Sequence, residues 1–338
     1  MSTRAKRVRI ILGLLVLLHV SVLLAGFVAP YPYAEQHRDY PYVPPRRLRW
    51  FDAGGRFHVR PFVYGIAQDE ATGGYREDPA RIYPVRFLVR AQEDAGWLRF
   101  RRRLFGVEAP GVVFLLGSDG YGRDVFSRLL YGAQVSLFTG ILAAALSLSL
   151  GLAIGLAAGF FGGWPDAVLM RGGELVMALP WLYLLLAVRA LLPLHISPVQ
   201  AFLLLIAIIG GVGWVRPSRV VRGVVLAARD SGFVEAARGF GAGAPYLLRR
   251  HILPAALPAV WTQATVLIPQ FILAEVALSF LGLGVGEPVP SWGNMLADAR
   301  QYHALLNRPW LLAPGLAAVP VLLGFVTLAD ALSEEDDR

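Results

Sequence analysis

The sequence predicts an all-α integral membrane protein of six transmembrane helices, with a small β-containing insertion on the outer side between the first two. Composition is the first reason: 56% of 338 residues are hydrophobic and 17% charged, more apolar surface than one soluble core of this length needs. Second, six mostly apolar runs approach the ~20 residues that a spanning helix requires: residues 10–29, 137–161, 167–192, 201–215, 255–283 and 310–332. Third, arginines crowd into particular loops, as the sorting of positive charge to the cytoplasmic side demands.

Arg4, Lys6, Arg7 and Arg9 precede the first run. Its length exceeds the ~7–15 residue core of a signal peptide, so a retained anchor is expected, although Ala25–Ala29 before Pro30 would suit cleavage. Residues 30–124 form the insertion, rich in Pro, Tyr and Arg. Alternating runs at 56–63 and 81–89 predict short antiparallel strands, with turns at Gly54-Gly55 and Gly73-Gly74. Its arginines are largely offset by acids, including Glu35, Asp39, Asp52, Asp69, Glu70, Glu77, Asp78, Glu93, Asp94 and Glu108. The plain reading is a solvated surface; the sharper one is a cap that seats a delivery protein or covers the outer mouth of a pathway.

In the second run Gly151, Gly155, Gly159 and Gly163 recur every four residues. They predict a bare strip along one helical face where a second helix packs closely, which is how helices associate in lipid. In the third run Arg171 and Glu174 are spaced to pair on one helix face, and Arg189 is placed to snorkel outward. The stretch 216–250 carries Arg216, Arg219, Arg222, Arg229, Arg238, Arg249 and Arg250, whereas 194–199 has none and 284–309 only Arg300 and Arg308. Both termini and the 216–254 loop are therefore expected in the cytoplasm. The chain divides into a tail and first span (1–29), the exterior insertion (30–124), a five-span core (125–332) and a cytoplasmic tail (333–338).

Several function classes drop out. The chain has no cysteine, hence no disulfide framework or thiolate chemistry. No Gly-Lys-Ser/Thr occurs, so no nucleotide loop of its own is expected. His19 and His195 lack partners at metal spacing, and no catalytic constellation stands out, so neither a metal site nor an enzyme is expected. The net charge of +8 comes from 31 Arg and one Lys; topology accounts for it better than nucleic acid.

Three motifs remain. Glu235-Ala236-Ala237, Gly241 and Leu253-Pro254 lie in a loop broken by Gly232, Gly239, Gly243 and Pro245, which predicts short helices joined by a bend. Glu235 near a helix start suits the free amides there, the alanines leave a surface another protein can approach, and Gly241 permits a sharp turn. Gly117-Ser118-Asp119-Gly120-Tyr121-Gly122-Arg123-Asp124 precedes an amphipathic stretch at 125–132; Asp124 sits at a helix start, with Arg123 or Arg128 as its expected ion-pair partner. Glu275 to Gly284, then Pro288-Val289-Pro290-Ser291-Trp292-Gly293-Asn294-Met295-Leu296, places a carboxylate inside a span, where it costs a few kcal/mol unless paired, protonated or facing a polar cavity. A pathway role and a structural pairing are both open for Glu275.

Together these motifs resemble the second, C-type permease subunit of the oligopeptide, dipeptide and nickel family of ATP-binding-cassette importers; the first is similar to its EAA loop. The resemblance covers about residues 115–331 and fits the first span, but covers the outer insertion poorly. It implies the ABC type I importer fold and an ATPase-coupling role for Glu235, Ala236, Ala237, Gly241, Leu253 and Pro254. Arg123, Asp124, Glu275 and Ser279 become candidates for the pathway or a subunit interface. The partners it implies are a homologous second permease in a heterodimer, two ATPase subunits that hold ATP and Mg, an extracytoplasmic substrate-binding protein and the lipid bilayer, with no nucleic acid and no cofactor on this chain. The location it implies is a bacterial or archaeal cytoplasmic (inner) membrane. Peptides are the expected cargo, since the spans offer no ligand cluster for nickel; glutathione, peptide antibiotics and oligosaccharides are related alternatives. The rival from another class is a membrane receptor or scaffold, which would have to signal through 216–250, because only six residues follow Leu332.

Overall fold

The structure is a computed structural model that describes residues 3–68, 74–91, 97, 98, 100–191, 193, 196–300 and 302–336. Gly73, Asp69, Glu70, Glu93, Asp94 and His195 lie outside the described residues. In chain order the elements are α1 (Thr3–Leu23), α2 (Ala25–Val28), β1 (Arg49–Phe51), β2 (Phe57–Gln68), β3 (Tyr75–Pro84), β4 (Arg86–Arg90), β5 (Arg102–Gly106), α3 (Val125–Phe161), α4 (Gly163–Ala178), α5 (Trp181–Ala190), α6 (Pro198–Gly213), α7 (Val215–Arg229), α8 (Gly232–Gly239) and α9 (Ala244–Leu247). A π-helical turn (Leu248–Ile252) then leads into α10 (Leu253–Phe280), followed by α11 (Trp292–Ala297), α12 (Tyr302–Asn307), a 3-10 turn (Pro309–Leu312) and α13 (Ala313–Asp336).

Among the described residues three helical stretches are long and apolar enough to cross a membrane: Val125–Phe161, Ala244–Phe280 and Pro309–Leu332. The number rises to five if each of two bent pairs is one span: α4 with α5, bent by 91°, and α6 with α7, bent by 43°. Six were expected. The first expected span falls on α1, whose opening turns carry Lys6, Arg7 and Arg9, and the helix breaks at Leu24. The third is divided at Leu179-Pro180, because proline disfavours helical backbone at the residue before it.

The chain forms two compact units, each assembled from separate segments. The helical unit comprises residues 1–15, 137–278 and 321–338. Its organising element is α3. A Cβ on Gly151, Gly155 or Gly159 would lie 2.6–2.7 Å from atoms of Pro217, Ser218 or Val225 on α7, so the glycine strip is where these two helices meet. Gly163 is not part of it: α3 ends at Phe161, Gly163 opens α4 at φ +58°, and a Cβ there would meet nothing within 4 Å. Two further close approaches, Gly140 against Ile272 of α10 and Gly210 of α6 against Ala143 and Leu146, pack two more helices on α3. Gly155→Leu is expected to wedge α3 from α7 and lower the melting temperature in detergent by several degrees, since overpacking a full site costs about 1–3 kcal/mol; an unchanged transition would show the strip is not a tight contact.

Ion pairs differ from the sequence reading. Glu174 accepts from Arg219 at 2.9 Å and not from Arg171, and Arg222 grips Asp166 with two bonds of 2.5 and 2.6 Å. Arg189 does not reach outward; it is buried and donates to the Pro193 carbonyl at 3.1 Å.

The second unit comprises residues 16–136 and 279–320. It holds an antiparallel sheet in the order β1-β2-β3, with Val63 opposite Tyr83 and Ala67 opposite Arg76, and a separate β4-β5 pair with Phe87 opposite Phe105. Gly54-Gly55 turns β1 into β2, closed by the Asp52 carboxylate, which accepts from the Gly54 and Arg56 amides at 2.9 Å. Val63, Val85, Phe105 and Val113 form a buried core under these strands.

Candidate functional site

The EAA-type loop lies in the helical unit. Residues 216–229, expected as loop, continue as α7; the spacing of Arg216, Arg219, Arg222 and Arg229 was itself a helical signal. Val215, Ser218, Val221 and Val225 form its buried stripe, and Val221, Val225, Ile252 and Ala256 make an apolar cluster that anchors both flanks of the loop.

Glu235 occupies the first turn of α8 and Arg238 its last, each favoured there by the helix dipole. The helix ends in a Schellman cap: the Gly241 amide donates to the Arg238 carbonyl at 2.9 Å and the Ala242 amide to Ala237 at 3.0 Å. That pairing needs left-handed backbone at the residue after the cap, and Gly241 has φ +85°. Gly243 and Pro245 then start α9. The rings of Phe233 and Tyr246 each lie 5.8 Å from His251 and hold the two short helices together. Glu235, Ala236 and Pro254 are exposed, Ala237 and Leu253 half-buried. Phe240 at the bend is 93% exposed.

Arg123 and Asp124 lie in the second unit, in a loop shaped by glycine. Gly117 and Gly122 have φ of +78° and +72°, and a Cβ on Gly122 would overlap the His37 carbonyl. Asp119 is the hub. Its Oδ1 accepts from the Tyr121 and Arg123 amides at 2.8 and 3.0 Å, and its Oδ2 from Arg123 Nε at 2.6 Å. Arg123 and Arg128 both reach Glu287, at 2.5 and 3.0 Å. Asp124 pairs with neither arginine. It is the N-cap of α3, accepting from the Ser127 amide at 2.8 Å and the Ser127 hydroxyl at 2.6 Å, a role a carboxylate at a helix start takes before any ion pair. The sequence reading missed Asp119 and Glu287; the Asp-x-x-Gly-Arg turn signal pointed to the first, and nothing local pointed to the second.

Burial pushes the Asp124 carboxyl up to about 7, against its hydrogen bonds from Ser127, and its Oδ1 has no hydrogen-bond partner. Burial, then the charge of Asp119, raises Asp298 to about 6. Both carboxyls bind their proton more tightly folded than unfolded. Their stabilisation is complete below the unfolded value of ~3.9 and is lost as pH rises through about 6 and about 7. Asp298→Asn is expected to flatten part of the fall in melting temperature between about pH 4 and pH 7; an unaltered slope would contradict this.

Glu275 is fully buried within α10, and Ser279 one turn later is 2% exposed. Ser279 packs so closely on Gly284 that a Cβ there would overlap its hydroxyl. Among the described residues no cluster of three or more His, Asp or Glu is placed to hold a metal ion.

Apolar spanning helices and an exposed capped bend define a multi-pass helical membrane component. A family model described as binding-protein-dependent transport system inner membrane component matches residues 151–334. A protein of Brucella ovis named as a peptide permease is 38% identical over 230 residues, 68% of this chain and 74% of that protein. The dipeptide transport system permease protein DppC of Alkalihalophilus pseudofirmus is 36% identical over 232 residues, 68% of this chain and 74% of its own length. Among solved structures, a chain of the inward-facing MetNI methionine ABC transporter aligns with TM-score 0.43 and 18% identity, over 60% of this chain and 95% of that one. This chain belongs to the family of inner-membrane components of binding-protein-dependent transport systems.

Proposed function

We propose that this chain is one of two homologous, nonidentical permease subunits of an ATP-driven peptide importer, with six spans of the type I fold and both termini in the cytoplasm. The observation that carries the coupling role is the capped bend at Gly241, which holds Glu235, Ala236 and Phe240 on an exposed knuckle between α7 and α10. In this reading the knuckle docks on an ATPase subunit. ATP and Mg are held by two such subunits, whose closure rocks the spans between inward- and outward-open states. Peptide is the cargo because the Brucella and Alkalihalophilus relatives carry peptide or dipeptide in their names.

Affinity purification of the tagged chain, gently solubilised from cells that express its native neighbours, tests this reading. A second permease and ATPase subunits are expected in the eluate, and Phe240→Ser should deplete the ATPases selectively. Recovery with signalling proteins alone would favour the receptor instead.

Residues 30–124 belong outside the cytoplasm in this reading. Trp50, Phe51 and Phe57 are exposed on the β1-β2 hairpin beside exposed Arg47, Arg56 and Arg60, which supports a role in seating the substrate-binding protein. Deleting residues 46–103 is expected to lower uptake several-fold; full uptake would reduce the region to a solvated surface.

A further inference from the structure

Three interruptions of helical hydrogen bonding converge in the helical unit. Helix α4 gives way to α5 through a 91° turn, α6 passes into α7 through a 43° bend, and Pro269 sits inside α10, where it has no amide hydrogen for the Thr265 carbonyl. Between them is a cleft of about 240 Å³, lined by Leu179 and Trp181, by Gly213 and Arg216, and by Gln270 and Phe271. Breaks within spanning helices are tolerated where they line a cavity, and transporters use them to build binding sites.

The cleft has two chemistries. Trp181 and Phe271 are stacked, 5.7 Å apart with 12° between their planes, and make a flat aromatic wall. Gly213 fixes that wall: a Cβ there would lie 2.4 Å from the Phe271 ring. Arg216 and Gln270 supply the polar side, and neither side chain has an ion-pair or hydrogen-bond partner among the described residues. Among the described residues no carboxylate lines the cleft. An unpartnered guanidinium beside an apolar wall suits a ligand that is anionic at one end and apolar at the other. The volume is below the ~300–1,000 Å³ of sites for whole drug-sized ligands, so it suits one residue.

We propose that this cleft receives the C-terminal residue of a peptide in transit, its apolar side chain against Trp181 and Phe271, its carboxylate on Arg216 and its backbone amide on Gln270. The assignment rests on the peptide-importer reading. It makes the permease itself a filter, downstream of the binding protein.

The test is uptake by the complete transporter in proteoliposomes, with one binding-protein preparation and three probes: Gly-Gly-Phe, Gly-Gly-Gly and the C-terminal amide of Gly-Gly-Phe. Because the binding protein is constant, its own preferences cancel when each variant is compared with the native complex. Trp181→Ala is expected to cut the Gly-Gly-Phe to Gly-Gly-Gly uptake ratio by about tenfold, the scale on which an apolar pocket discriminates. Arg216→Gln should cut the ratio of free acid to amide by a similar factor. Should Trp181→Ala fail to assemble, Trp181→Leu, which keeps apolar bulk without the flat ring, decides the same point. Native ratios in assembled variants overturn the cleft assignment while the importer stands. If the native complex takes up none of the three probes, the peptide reading falls and the cleft assignment with it.

Discussion

Gly241→Val is expected to leave the chain inserted and assembled with its partner permease while ATP-driven uptake falls by roughly 5- to 30-fold. The magnitude follows from the backbone. Left-handed conformation costs a residue with a Cβ about 1–2 kcal/mol, and more for a branched one, which shifts the population of the native bend by a factor of about 5–30. Space is not the obstacle, since a Cβ at Gly241 would meet nothing within 4 Å. That separates backbone from packing and sets the controls. Gly241→Asn should retain much of the uptake, because asparagine tolerates this conformation. Gly239→Ala, two residues earlier in helical backbone with open space around it, should retain all of it. The measurement is uptake and ATP hydrolysis side by side in the same proteoliposomes. In the valine variant hydrolysis should lose its dependence on loaded binding protein. Normal, coupled uptake by that variant would remove the bend from the coupling path.

The bend was legible in the sequence because glycine and proline act locally: Gly241 imposes a conformation that few other residues reach, and Pro245 opens the next short helix. Spans of continuous apolar sequence were equally plain, as in α3, α10 and α13. Breaks inside apolar runs were not. Residues 167–192 read as one span because hydropathy has no term for direction, although Pro180 stood in the middle of the run. The arginines after Val215 suggest a loop by their charge, although their spacing fits the helix they form. The arginines beside Asp124 suggest an ion pair, yet the amide and hydroxyl of Ser127, three residues on, are its partners. Glu287 was invisible for another reason: its partners Arg123 and Arg128 lie more than 150 residues earlier, and no local pattern announces a contact of that range. The cleft at Trp181 shares this property, because its walls come from three distant stretches of chain.

Asp119→Ala is expected to produce the largest loss of stability among single changes in the second unit, about 3–5 kcal/mol, the usual scale for removing one partner of a buried ion pair. Asp119 and Arg123 are both almost fully buried, 2.6 Å apart, and Arg128 beside them is 1% exposed. Without Asp119, Arg123 keeps Glu287, whose side chain is 47% exposed, and Arg128 keeps Glu287 and the carbonyls of Tyr33 and Pro288, so Arg123 bears most of the uncompensated desolvation. The Tyr121 and Arg123 amides also lose their acceptor. Asp119→Asn separates these two contributions: its amide oxygen can still accept from both amides, whereas the charge is gone. The asparagine variant should therefore fall between the native chain and Asp119→Ala. Thermal unfolding in detergent, followed by the fluorescence of the eight tryptophans, would rank the three. A double-mutant cycle with Arg123→Met isolates the pair, since removing both partners leaves no orphaned charge between them and should cost less than the sum of the single changes. Additive losses would mean that the two groups do not act as a pair, and that the loop at 117–124 is held by its glycine turns and backbone bonds alone.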